Sequence, residues 1–151
     1  MKSDVINHYD SLIDENNNPV FDPQPLKEYM DKWDGKAFLG ALTLNDTKSI
    51  LEIGVGTGRL ALKIRHNVTF MHIKNKKGVI DKISHLLTQG GRFVLSVDKS
   101  QNTVLEYGSR KITIYPDSVK NVERCVLHSG MSIIEKIETD FAHIFVIMKN
   151  T

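Results

Sequence analysis

The chain holds one cysteine, Cys125, in 151 residues, so an internal disulfide framework is excluded and a reducing compartment fits. It has no apolar run near the roughly 18 residues a membrane-spanning helix needs, and its start lacks the charged-then-apolar pattern of a secretory leader. An excess of one charge is missing too. Lysine and arginine total 20 against 18 acids, a formal charge of +2, so nothing demands nucleic acid or an acidic membrane as a partner. The expectation is a single cytoplasmic domain over residues 1–151, long enough to bury a core.

What is present is concentrated in one stretch. Ser49 to Ile53 is a short β-branched and aliphatic run of the kind that forms a buried strand, and it leads directly into Gly54, Gly56 and Gly58. An apolar helix should follow through Leu60, Leu62 and Ile64. Alternate glycines between a strand and a helix permit positive φ and let a ligand approach bare backbone, while the unpaired N–H groups of the helix start favour negative or polar ligand atoms. A dinucleotide fingerprint would place its third glycine at position 59, where Arg59 stands, so an oxidoreductase reading is weakened.

With its acid two residues before the first glycine, Glu52-Ile53-Gly54-Val55-Gly56-Thr57-Gly58 resembles the first motif of the class I S-adenosylmethionine-dependent methyltransferases. The resemblance implies that the loop backbone at Gly54, Gly56, Thr57 and Gly58 holds the methionine part of S-adenosylmethionine and that Glu52 fixes its amino end. Tyr9-Asp10 looks like the pair that lies across the cofactor in that family. A solvated tail with one tyrosine on its apolar side is the alternative. The implied fold is α/β and Rossmann-like: a mostly parallel sheet with N-terminal helices and a C-terminal antiparallel hairpin.

Elsewhere the patterns are local. Residues 1–24 carry turn-forming Asn, Asp and Pro, with room for one short helix around Asp4 to Ile13. Leu26, Tyr29, Met30 and Trp33 fall at helical spacing, Gly35 interrupts, and Ala37 to Leu42 continue as a second short helix. Asn67 to Ile73 reads as a strand, Val79 to Leu87 as a helix face ending at Gly90-Gly91, and Arg92 to Asp98 as an apolar strand. Lys99 to Ser109 reads as a polar loop and Lys111 to Tyr115 as an edge strand. Pro116-Asp117-Ser118 supplies a helix start, Val119, Val122 and Val126 its stripe, and Gly130 its stop. Met131 to Ile137 and Phe141 to Met148 are strands joined closely enough only for an antiparallel hairpin.

The interval from Arg59 to Gln89 is too short for the second, third and fourth strands that the family carries there, since one parallel βαβ unit alone takes about 30 residues. The expected sheet is therefore truncated, and no clear acid remains for the cofactor ribose. Asp81 is the nearest, but it follows Lys74-Asn75-Lys76-Lys77 on a helix and reads as a solvated charge, as do those lysines. His72, near the expected ligand edge, is a candidate acid or base, with a structural role as the alternative. Cys125 and His128 lack the further ligands a zinc site needs, so no metal is expected. Loss of the neighbouring strands would leave Ser49 to Ile53 with an unpaired apolar edge, which predicts a homodimer or larger assembly built around Ser49 to Met71. The expected activity is methyl transfer to a small acceptor, the alternative an inactive remnant kept as a binding or assembly module.

Overall fold

Two periodicities divide the second half of the chain. Val122 and Val126, four residues apart, put apolar side chains on one side of a helix, whereas the unbroken run Ile144-Phe145-Val146-Ile147 suits a strand with both faces covered. The computed structural model, which describes Asn7, Asp10, Ser11 and residues 24–42, 70–107 and 110–151, follows these patterns. Helix α1 spans Gln24–Leu42, a 3₁₀ turn covers Phe70–His72, α2 spans Lys76–Leu86 and α3 spans Val119–His128. The strands are β1 (Arg92–Asp98), β2 (Val104–Tyr107), β3 (Arg110–Thr113), β4 (Met131–Glu138) and β5 (Ala142–Lys149).

Strand β5 lies in the middle of a three-stranded sheet of order β1-β5-β4. Its register on β1 runs from Arg92 opposite Met148 to Asp98 opposite Ala142. Its register on β4 slips once, between Ile133 and Glu135, a bulge on the outer strand. Strands β2 and β3 form a separate antiparallel ribbon, from which Ile112 is turned inward.

The sheet is the middle of three layers. On one face Ile144 and Val146 pack with Phe38 and Ala41 of α1, flanked by Val94 and Ile137. On the other, Phe145, Ile147, Leu95 and Val97 meet Phe70, Ile80 of α2, and Val122, Cys125 and Val126 of α3. Each fully buried Ile or Phe removes enough apolar surface from water to stabilise the fold by about 1.5–3 kcal/mol. Asn75 caps α2 by accepting from the Gly78 amide at 3.0 Å, and Ser118 caps α3 by accepting from the Asn121 amide at 3.2 Å. Gly130, at φ +69°, ends α3 in the left-handed region and turns the chain into β4.

Several expectations are corrected. The described strands form no mostly parallel Rossmann-like sheet: every ladder is antiparallel. A continuous apolar run reports two covered faces rather than strand direction, and here helices cover both faces of an antiparallel centre. Phe70–His72 is a 3₁₀ turn rather than strand, and Phe70 is buried under the sheet. The polar stretch Lys99–Ser109 contains β2. Helix α1 passes through Gly35 unbroken, because one glycine costs a helix only about 1 kcal/mol. The short N-terminal helix is described only at Asn7, Asp10 and Ser11, all helical, with the Ser11 hydroxyl donating to the Asn7 carbonyl at 2.8 Å. No helix among the described residues is long and apolar enough to cross a membrane.

Candidate functional site

Glu52, Gly54, Gly56, Thr57, Gly58 and Tyr9, the residues expected to hold S-adenosylmethionine, lie outside the described residues, as does the run Ser49–Ile53 expected to form a strand. What the fold does assemble is a small cavity of about 30 Å³, of mixed apolar and polar lining, on the face of the sheet that carries α2 and α3. The 3₁₀ turn supplies Phe70 and Met71, the start of α2 Lys76, the end of β1 Asp98, and the segment entering α3 Tyr115 and Asp117.

Lys76 stands in the first turn of α2, where the positive end of the helix dipole disfavours a cation. Its partners lie off the helix. The ammonium donates to the Phe70 carbonyl at 3.0 Å and to the Tyr115 carbonyl at 2.5 Å, and sits 4.6 Å from the centre of the Phe70 ring. The Tyr115 amide in turn donates to the Met71 carbonyl at 2.7 Å. One buried side chain thus ties the turn, the helix and the β3–α3 connection together. Burial pushes its pKa below the usual lysine value, and the charge of Asp117 pulls it back up.

Asp117 is a buried carboxylate at the entry to α3, only 9% exposed. Its Oδ1 accepts from the Ser118 amide at 2.8 Å and from the Asn121 side-chain amide at 2.8 Å. Its enclosed Oδ2 has no hydrogen-bond partner among the described residues. The Gln101 side-chain amide reaches the Asp117 carbonyl at 3.2 Å, so the connection after β1 is laid against the same wall.

Asp98 follows the apolar part of β1 and turns the chain there, its Oδ1 accepting from the Ser100 amide at 2.6 Å. Burial holds its carboxyl above the ordinary aspartate range, and the Ser100 bond offsets part of that. A space this size admits about one water-sized group, so it can bind an ion or a head group but not a nucleoside.

Of the other residues singled out from sequence, His72 sits half-buried in the 3₁₀ turn beside Met71. Asp81 joins two helices: its Oδ2 pairs with Lys77 at 2.6 Å and its Oδ1 accepts from the Ser129 hydroxyl at 2.5 Å. Those bonds, that of Lys77 first, hold its carboxyl below the ordinary range. The lysine run is not uniformly solvent-facing, because Lys76 is 7% exposed. Cys125 lies in the core, its thiol pushed up by burial and by the charge of Asp117, whereas His128 is exposed and bonds the Arg124 carbonyl at 2.7 Å. Among the described residues no group of three or more His, Cys, Asp or Glu side chains converges as metal ligands would. The sequence reads Lys76 as a solvated charge, Asp98 as the end of a strand and Asp117 as helix-start chemistry, none of them as part of a site. The available signal was an aspartate closing an apolar strand and a lysine placed at the wrong end of a helix. No protein-family model, curated protein or solved structure matches this chain.

Proposed function

We propose that the chain binds S-adenosylmethionine through Glu52–Gly58 and transfers its methyl group to a small acceptor. The carrying observation is the motif Glu52-Ile53-Gly54-Val55-Gly56-Thr57-Gly58: an acid, an aliphatic residue and alternate glycines between a strand-like run and an apolar segment. Free amides in such a loop suit the carboxylate of an amino acid, and Glu52 suits its ammonium. Bound there, the cofactor would supply an electrophilic sulfonium methyl, and the chain's part is to hold an acceptor in line with it. Positioning of this kind supplies much of the acceleration of a two-reactant step.

Isothermal calorimetry with S-adenosylmethionine tests the reading. Since the interval 59–89 lacks room for a family-like nucleoside site, the expected affinity is weaker than about 10 μM, roughly −7 kcal/mol. Gly56→Val, which places a branched side chain where bare backbone is needed, should abolish the heat. No heat from the unaltered chain would overturn the proposal, and mass spectrometry of copurified small molecules would identify any other occupant.

The short interval also favours a second reading, an inactive remnant that serves as a homo-oligomeric assembly module. Among the described residues β1 has a ladder partner on one side only, β5. Light scattering that returns a monomer at micromolar concentration would remove this reading.

A further inference from the structure

We propose that the outer edge of β2 pairs with the same strand of a second copy of this chain, joining two β2–β3 ribbons into one continuous antiparallel sheet. The ribbon is separate from the central sheet, and a two-stranded ribbon is marginal in water until further strands extend it. Val104 is 46% and Leu105 38% exposed although they lie on opposite faces, and among the described residues the ladder partner of β2 is β3 alone. The outer edge is therefore open. Its hydrogen-bonding groups follow from one bond: the Ile114 amide donates to the Thr103 carbonyl at 2.9 Å, so Thr103 and Leu105 turn their backbone polar groups toward β3. Val104 and Glu106, in alternation, turn theirs outward. The strand has no proline or lysine to blunt this edge, and its one charge, Glu106, is paired with Lys111 at 3.0 Å.

The strand's own residues select a second copy and its register. A two-fold axis that keeps the sheet continuous passes through a residue, because positions set opposite each other must share a face. At Glu106 it would set like charges opposite, and at Val104 it would set Thr103 against the partner's Leu105. At Leu105 it sets Leu105 against the partner's Leu105 and Val104 against the partner's Glu106, whose outward amides and carbonyls then exchange hydrogen bonds on both sides of the axis. One face gains the row Ile112, Leu105, the partner's Leu105 and the partner's Ile112, unbroken by a polar side chain. On the other, Val104 stands beside a Glu106 that its own Lys111 neutralises. This self-complementarity favours a second copy over the strand of another protein. Pairing over so few residues buries less than the roughly 1,200 Å² of a standard interface, so the dimer is weak, with a dissociation constant on the order of 100 μM. This inference rests neither on methyl transfer nor on an assembly around Ser49 to Met71.

The test is sedimentation equilibrium of the full chain from about 10 μM to about 1 mM. Expected is a reversible monomer–dimer equilibrium in which the Val104 and Glu106 amides gain protection from hydrogen exchange as concentration rises, while the Leu105 amide, already facing β3, does not change. Leu105→Lys sets like charges opposite at the axis and should weaken dimerisation by about tenfold or more. Register is read by oxidation. Leu105→Cys should form a disulfide-linked dimer, whereas the equally accessible Val104→Cys should not, because its α-carbons lie across the axis beyond the roughly 7 Å that a disulfide spans. Cys125 is buried and does not compete. A monomer throughout the range, which would leave the edge to a strand of another protein, would overturn the proposal. So would a dimer that Leu105→Lys leaves intact, or linkage of Val104→Cys in preference to Leu105→Cys. Gly56→Val separates this proposal from methyl transfer, because it should lose S-adenosylmethionine yet keep the dimer.

Discussion

On one face of the central strand, Ile144 and Val146 are covered by α1, with Phe38 and Ala41 as its buried contacts; on the other, Phe145 and Ile147 lie beneath α2, α3 and the 3₁₀ turn. The first face is a simple apolar seam. The second carries the larger cluster and also the polar corner of Lys76, Asp98 and Asp117, where backbone carbonyls and carboxylates enter the interior together. A layer made of one helix can close on a sheet by packing alone. Several short segments meeting at one point leave helix starts and strand ends with polar groups to satisfy, and that is where a binding site can arise at little cost to the core.

The largest effect should come from Phe145→Ala, about 5 kcal/mol, against about 3 kcal/mol for Phe38→Ala, because the Phe145 cavity would open among more fixed neighbours. Urea denaturation of both variants checks this, and equal losses would break the proposed asymmetry of the two faces. Next comes Gly130→Ala. No atom stands within 4 Å of the added methyl, but φ is +69°, so the cost should be backbone strain alone, about 1–2 kcal/mol. A loss well above that would mean that the α3–β4 turn also fails to pack.

Removing the α3 cap by Ser118→Ala should cost about 1 kcal/mol in the same assay. The smallest effect concerns Asp98. Its folded-state pKa is raised, so the fold holds that proton more tightly than the unfolded chain does. This contribution is present below the unfolded value, about 3.8, and is lost as pH rises through the folded value. Asp98→Asn should therefore stabilise the protein modestly near neutral pH and flatten that part of the curve, whereas a destabilised variant would show the carboxylate to be favourably partnered. Thermal unfolding across pH decides it.

The β4–β5 hairpin, the strand at Arg92–Asp98 and the helix started by Ser118 and stopped by Gly130 were all legible, since each rests on neighbours in sequence. The 3₁₀ turn at Phe70–His72 was not, because Phe70 owes its burial to α2, α3 and the sheet, not to an alternating pattern. Leu86, placed on a helix face by spacing, is 68% exposed, because α2 has reached its end there. The polar corner was hidden for a similar reason: Tyr115 and Lys76 lie 39 residues apart and meet only when β3 feeds α3.

By itself the sequence determined the local punctuation of this protein and its glycine motif: caps, stops, the short hairpin connection and the double-sided apolar run of β5. These follow from side-chain chemistry within a few residues. Only the tertiary structure decided the direction of β1 against β5 and the burial of Lys76. Apolar runs register how many faces are covered, not which way the neighbour runs, and a lysine turns inward only where carbonyls distant in the chain are brought to meet it.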